Sequence, residues 1–133
     1  MSMRITAEDL RKLPDSEVAS VLSSLSPEQA EELKYDWKFW ARPDQLEPDG
    51  KWNVWVALAG RGWGKTRTGA EWLARQVLDN PTAPDGAPTQ WAIIAPTFGD
   101  AKNICVEGPS GFIKALEHRG LENDKDYIYN KSS

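Results

Sequence analysis

Eight consecutive residues, Ala59-Gly60-Arg61-Gly62-Trp63-Gly64-Lys65-Thr66, have the types and spacing to hold a chain of phosphates. Glycines at Gly60, Gly62 and Gly64 let the backbone curl until successive amides face one anion. A helix beginning just beyond them would add its own unpaired amides and the positive end of its dipole. In this Walker A pattern Lys65 reaches the β- and γ-phosphates and Thr66 sets its hydroxyl on Mg2+, so the ligands implied are ATP and Mg2+. Arg67 follows directly and belongs to the same turn. The first position holds Ala59 where the pattern has glycine, leaving three glycines to make the turn. A chance match is the plain alternative, and the pattern carries meaning only between a strand and a helix.

Those flanking elements are legible. Asn53 to Leu58 is an almost continuous apolar run, which suits a strand covered on both faces. From Thr66 onward, Ala70, Leu73, Ala74, Val77 and Leu78 fall on one helical stripe, with Glu71 and Arg75 as an outward-facing pair. Asp79-Asn80-Pro81 ends that helix, and a turn-rich connector to Pro88 leads to a second apolar run, Trp91 to Ala95. Pro96-Thr97 closes this run and a helix is predicted from about Gly99. Gly108-Pro109 interrupts it, and Phe112, Ile113 and Leu116 mark a further helical turn. The chain beyond Gly120 is charged, with a short β-like piece at Tyr127 to Tyr129. Strand, loop, helix, connector, strand and helix make one βαβ unit. The predicted fold class is α/β: an incomplete parallel sheet of the P-loop NTPase kind, RecA- or helicase-like, with flanking helices.

The chain before this unit reads as short helices. Thr6 caps a turn carrying Leu10 and Leu13, and Val18, Val21, Leu22 and Leu25 share one face of a second helix. Ser26-Pro27-Glu28-Gln29 starts a third, with a capping box and proline at the first helical position. That helix is predicted to carry Leu33, Trp37 and Trp40 on one side as far as Arg42-Pro43. The predicted division is a helical region over 1–41 and the first part of an ATPase domain over 42–133.

Composition bounds the partners. In 133 residues, 40% hydrophobic and 27% charged content is that of a globular domain with a real core. A net charge of −4 argues against a surface generally coated by nucleic acid, while allowing a local basic groove. A single cysteine, Cys105, excludes an internal disulfide and fits a reducing compartment, where it reads as a small buried apolar residue. No apolar run reaches the length of a membrane span and the N-terminus has no signal pattern, so a cytosolic protein is expected. Trp37, Trp40, Trp52, Trp55 and Trp91 lie in or beside candidate core elements, which makes packing their default role. His118 and Arg119 read as solvated residues near a helix end.

Hydrolysis of ATP needs more than a phosphate cradle. It needs a second apolar strand ending in Asp, to hold Mg2+, and commonly a Glu to orient the attacking water. No apolar run here ends that way; Val77-Leu78-Asp79 comes nearest, and it lies on the helix after the loop. The expectation is a first portion of a longer protein, truncated before that acidic strand, which binds nucleotide and turns it over weakly or not at all alone.

Four blocks carry a resemblance. Trp40 to Gln45, Ala57 to Trp72, Ala95-Pro96-Thr97 and Val106 to Gly111 resemble, in order and spacing, the large terminase subunit of tailed bacteriophages and related gene-transfer agents. The likeness runs from about Trp37 to the C-terminus. It implies the ATPase portion of a motor that drives double-stranded viral DNA through the portal protein into the procapsid. A small terminase subunit that recognises the DNA, and a homo-oligomeric ring on the portal, are the implied partners. The implied location is the host bacterial cytoplasm, transiently at the portal vertex of the procapsid. Full-length members are also endonucleases, with nuclease carboxylates and the water-activating glutamate in sequence beyond Ser133. Gln45 falls where the family has a glutamine that reads adenine, a task its carboxamide suits; a solvated loop glutamine is the alternative. Arg61 falls where terminases carry an arginine that approaches the γ-phosphate, and a surface arginine is the alternative. Thr97 corresponds to a segment that touches the nucleic-acid backbone, or simply caps the next helix. Another superfamily 2 helicase-like ATPase, or a non-hydrolysing module with an idle loop, are the competing readings.

Overall fold

The computed structural model describes residues 5–131. Two compact units divide the chain, one ending at Trp55 and the other beginning at Val56. Seven α-helices are present among the described residues, joined by a 3-10 turn and a π-helix, with no β-strand.

The first unit follows its capping signals. Thr6 accepts a hydrogen bond from the Asp9 amide and starts α1 (Ala7–Leu10), while Ser26 and Gln29 form the capping box of α3 (Pro27–Tyr35). Between them, α2 (Asp15–Ser23) buries no residue; its expected apolar face is half-covered at Val18 and Val21 and open at Leu22. The third helix is shorter than its sequence suggests. Asp36 leaves helical geometry, accepts a bond from the Lys38 amide and starts a separate helix, α4 (Trp37–Trp40). That break rotates the aromatic run. Phe39 becomes the buried ring, while Trp40 stands half-exposed with its indole N–H on the Leu33 carbonyl, 2.7 Å away.

The second unit is built on α5 (Lys65–Asp79), the longest helix. Ala70 and Ala74 pack against Ala115 and Leu116 of α7 (Phe112–Glu117), and Phe112, Leu121 and Tyr127 close the cluster. Alanines at this contact let the two helices approach closely, which brings longer side chains on their flanks within reach of each other. Between α5 and α7 run the short α6 (Phe98–Asp100) and the π-helix Ala101–Val106. The turn into α7 needs glycine for steric reasons. A Cβ on Gly108 would lie 2.5 Å from the Ile104 carbonyl oxygen, and one on Gly111 would lie 2.6 Å from that of Val106.

Among the described residues the predicted parallel sheet is absent, and the α/β P-loop fold class with it. The two runs expected as buried strands, 53–58 and 91–95, carry no regular structure. Val54, Leu58 and Ile94 are 75%, 92% and 90% exposed, the reverse of side chains covered on both faces. An apolar run satisfies a demand for burial as a strand only when neighbours complete its hydrogen-bond ladder. The described residues provide such pairing only as isolated bridges, Thr82 with Pro88 and Asn123 with Tyr127. The second of these stands where a β-like piece at Tyr127 to Tyr129 was expected.

Candidate functional site

The glycine-rich loop leads straight into α5. Gly62 and Gly64 have φ of +81° and +99°, in the left-handed region that side-chain-bearing residues avoid. Gly64 is the N-cap, and the first intrahelical bond runs from the Thr68 amide to the Gly64 carbonyl at 2.9 Å. The Lys65 and Thr66 amides precede that bond, so they have no acceptor within the helix. Lys65 folds back over the loop, its ammonium donating to the carbonyl oxygens of Ala59 and Gly60, each at 2.7 Å.

A cleft of about 420 Å3 opens beside this turn. Arg61, Lys65 and Arg67 line it together with Thr66, and Ile104, Pro109 and Ser110 form the opposite wall. Three cations line one cleft, and none of the described residues brings a carboxylate to it, in a chain whose net charge is −4. Gly62 and Gly64 also line it, while Ala59 and Gly60 enter through the carbonyls that hold Lys65 and Trp63 completes the turn half-buried. A second cavity of about 300 Å3 shares Lys65 and Thr66 with it and is lined further by Trp72, Ile93 and Cys105 among others.

Gln45 belongs to the first unit. It is 6% exposed, and its carboxamide oxygen accepts the Arg42 amide at 3.1 Å across the 3-10 turn Pro43–Gln45. Thr97 is a helix cap. Its hydroxyl accepts the Asp100 amide at 3.0 Å and donates to the Asp100 carboxylate at 2.8 Å.

Behind the cleft lies a charged cluster that sequence reasoning misplaced. Glu71 does not face outward toward Arg75; it is 1% exposed, and its two carboxylate oxygens accept bonds from Arg67 and Arg119. His118 and Arg119 are likewise not solvated. Arg119 reaches across from the end of α7 to the Glu71 carboxylate and its backbone carbonyl, and Arg67 Nη2 lies 2.9 Å from His118 Nδ1. Arginine only donates, so Nδ1 accepts and the imidazole proton sits on Nε2. Burial and the neighbouring Arg67 charge push the His118 pKa below its ordinary value, against the pull of Glu71. Only the i, i+4 spacing of Arg67 and Glu71 hinted at this cluster; its other half comes from a helix far along the chain.

The family described as terminase large subunit, T4-like-virus type, N-terminal, matches residues 56–126. That span covers more than half of the chain and contains the whole loop, α5 and α7. The chain belongs to this family. Membership gives it a terminase role in bacteriophage DNA packaging, with DNA, a portal and a small subunit as the partners of the family in general. No curated protein and no solved structure matches the chain. Among the described residues no helix is long and apolar enough to cross a membrane.

Proposed function

We infer that the terminase loop from Ala59 to Thr66 binds Mg2+-ATP, and that this chain is the nucleotide-binding portion of the packaging motor. The observation that carries this reading is the cleft walled by Arg61, Lys65 and Arg67 with no acidic lining, beside the amide-rich start of α5. A polyphosphate is the anion that such a cleft suits, because several phosphates present several negative charges to fixed cations at once. Lys65 would exchange its two loop carbonyls for phosphate oxygens. Arg61 is exposed on the loop, free of the constraint of packing, and suits a residue that closes on the γ-phosphate.

The residues present fit a nucleotide-borne Mg2+ rather than a metal held by protein alone. No group of three or more His, Cys, Asp or Glu among the described residues could hold a metal ion, and Mg2+ keeps waters and phosphate oxygens around one or two protein ligands. Thr66 would supply one hydroxyl, and the bound ion would neutralise charge on the phosphates. No apolar run of the sequence ends in Asp-Glu, so binding with weak or absent turnover is the activity proposed for this chain by itself. In the assembled motor, at the portal vertex in the host cytoplasm, hydrolysis would be coupled to translocation of double-stranded DNA by a ring of such subunits.

Calorimetric titration of Mg2+-ATP into the wild-type chain and Lys65→Ala tests the reading. Removing the ammonium should weaken binding by at least about tenfold, the loss typical of a charge-assisted contact. Equal affinity in the two proteins, or no binding to either, would show the loop to be idle.

A further inference from the structure

The three cations of the cleft are held in different ways. Lys65 is tethered to backbone carbonyls of its own loop and Arg61 is exposed. Arg67 is fixed by side chains from two helices: its Nε donates to Glu71 Oε1 at 2.7 Å, and Nη2 donates to His118 Nδ1 at 2.9 Å. Both contacts are partly buried, with Glu71 fully covered and the Arg67 and His118 side chains 27% and 20% exposed. The charge count matters as much as the geometry. Glu71 is shared with Arg119, so one carboxylate faces two guanidiniums and the cluster keeps a net positive charge beside the cleft.

We propose that Glu71 and His118 are positioning residues for Arg67, holding its guanidinium against the cleft so that it binds the polyphosphate tail of a nucleoside triphosphate beside Lys65. This rests on the reading of the loop as an ATP site. A long arginine side chain that is ordered only on ligand binding loses rotamer freedom at that moment, and fixing it beforehand removes that cost from binding. The fork of the guanidinium is what allows the arrangement. Nε serves Glu71 and Nη2 serves His118, two separate donors of one planar group, and the residue lines the cleft. Glu71 also ties the middle of α5 to the end of α7 through Arg119, so the position of Arg67 is set by the packing of the two helices.

Titration of Mg2+-ATP into wild type, Lys65→Ala, Arg67→Lys, His118→Ala and His118→Gln tests this, with the urea unfolding midpoint of each protein measured alongside. His118→Ala removes the acceptor and should weaken binding about three- to tenfold, the range of one hydrogen bond to a charged group acting at one remove. His118→Gln offers a carboxamide oxygen to the same guanidinium and should restore affinity to near wild type. Arg67→Lys should bind at least as weakly as His118→Ala, because a single ammonium cannot serve both partners and a phosphate; it also keeps the proposal testable should His118→Ala fail to fold. Wild-type affinity in both His118→Ala and Arg67→Lys would overturn the positioning role, as would a His118→Gln protein no tighter than His118→Ala. If wild type binds no tighter than Lys65→Ala, the loop reading itself fails, and the inference with it.

Discussion

Replacing Glu71 by glutamine keeps the shape of the side chain and removes one charge, which makes it a clean test of what holds α5 to α7. The carboxylate is 1% exposed and bonds Arg67 at 2.7 Å as well as Arg119. Removing one partner from a fully buried ion pair costs about 3–5 kcal/mol, because the remaining charge is stranded away from water. Here the stranded groups are not fully buried: the Arg67 and Arg119 side chains are 27% and 25% exposed and recover part of their hydration. The glutamine oxygen also keeps one acceptor. The expected loss is therefore about 2–3 kcal/mol, below the full cost of a buried pair and a large part of the roughly 5–15 kcal/mol available to a domain. In urea, with a slope of about 1–3 kcal/mol per molar, the midpoint should fall by about 1 M or more. Circular dichroism at the helix band gives the readout, and Glu117→Gln serves as the reference. The Lys114–Glu117 pair is nearly half-exposed on both sides, and such pairs contribute about 0–1 kcal/mol. A Glu71→Gln midpoint that matches the Glu117→Gln midpoint would refute the argument that the buried carboxylate fastens the two helices.

Three further outcomes follow from the same geometry. Because the folded state lowers the His118 pKa below 6.5, the unfolded chain takes up its proton at a higher pH than the folded one; stability should be full above about pH 6.5 and fall with acidification toward the lowered value, and His118→Gln should remove that part of the slope in urea midpoints measured from pH 8 to 5. Gly108→Ala would place a methyl 2.5 Å from the Ile104 carbonyl oxygen, so it should destabilise the second unit by about 1–3 kcal/mol, read as a lowered urea midpoint, whereas Gly69→Ala meets nothing within 4 Å on the helix surface and should leave the midpoint unchanged or raise it. Ser26→Ala deletes the bond from the Gln29 amide, which is the side-chain half of the capping box, and should cost about 1 kcal/mol of helix stability, seen as a loss of helical signal on mild heating.

The loop of the candidate site was more legible than the fold. Gly62, Gly64, Lys65 and Thr66 fall within five residues, so their types and spacing alone announce a turn and a helix start. Helix ends were legible for the same reason: Thr6, Ser26, Thr97 and Asn80 act on amides or carbonyls within a few residues. The sheet was not legible, because the runs at 53–58 and 91–95 state only that they are apolar, and pairing depends on partners elsewhere in the chain. The Glu71 cluster failed for a related reason. Its i, i+4 neighbours Arg67 and Arg75 are equivalent in sequence, and only the arrival of His118 and Arg119 from α7 turns the carboxylate inward. Phe39 replaced Trp40 in the core because Asp36 restarts the helix, a local break that the three-and-four spacing passes over.

Hydrogen–deuterium exchange of the terminase chain with and without Mg2+-ATP tests the central claim at the residues concerned. The account predicts slowed exchange at the amides of Gly62 to Thr66 and of Ser110 in the opposite wall of the cleft, and no such slowing in Lys65→Ala. Protection confined to other segments, or none at saturating nucleotide, would contradict it.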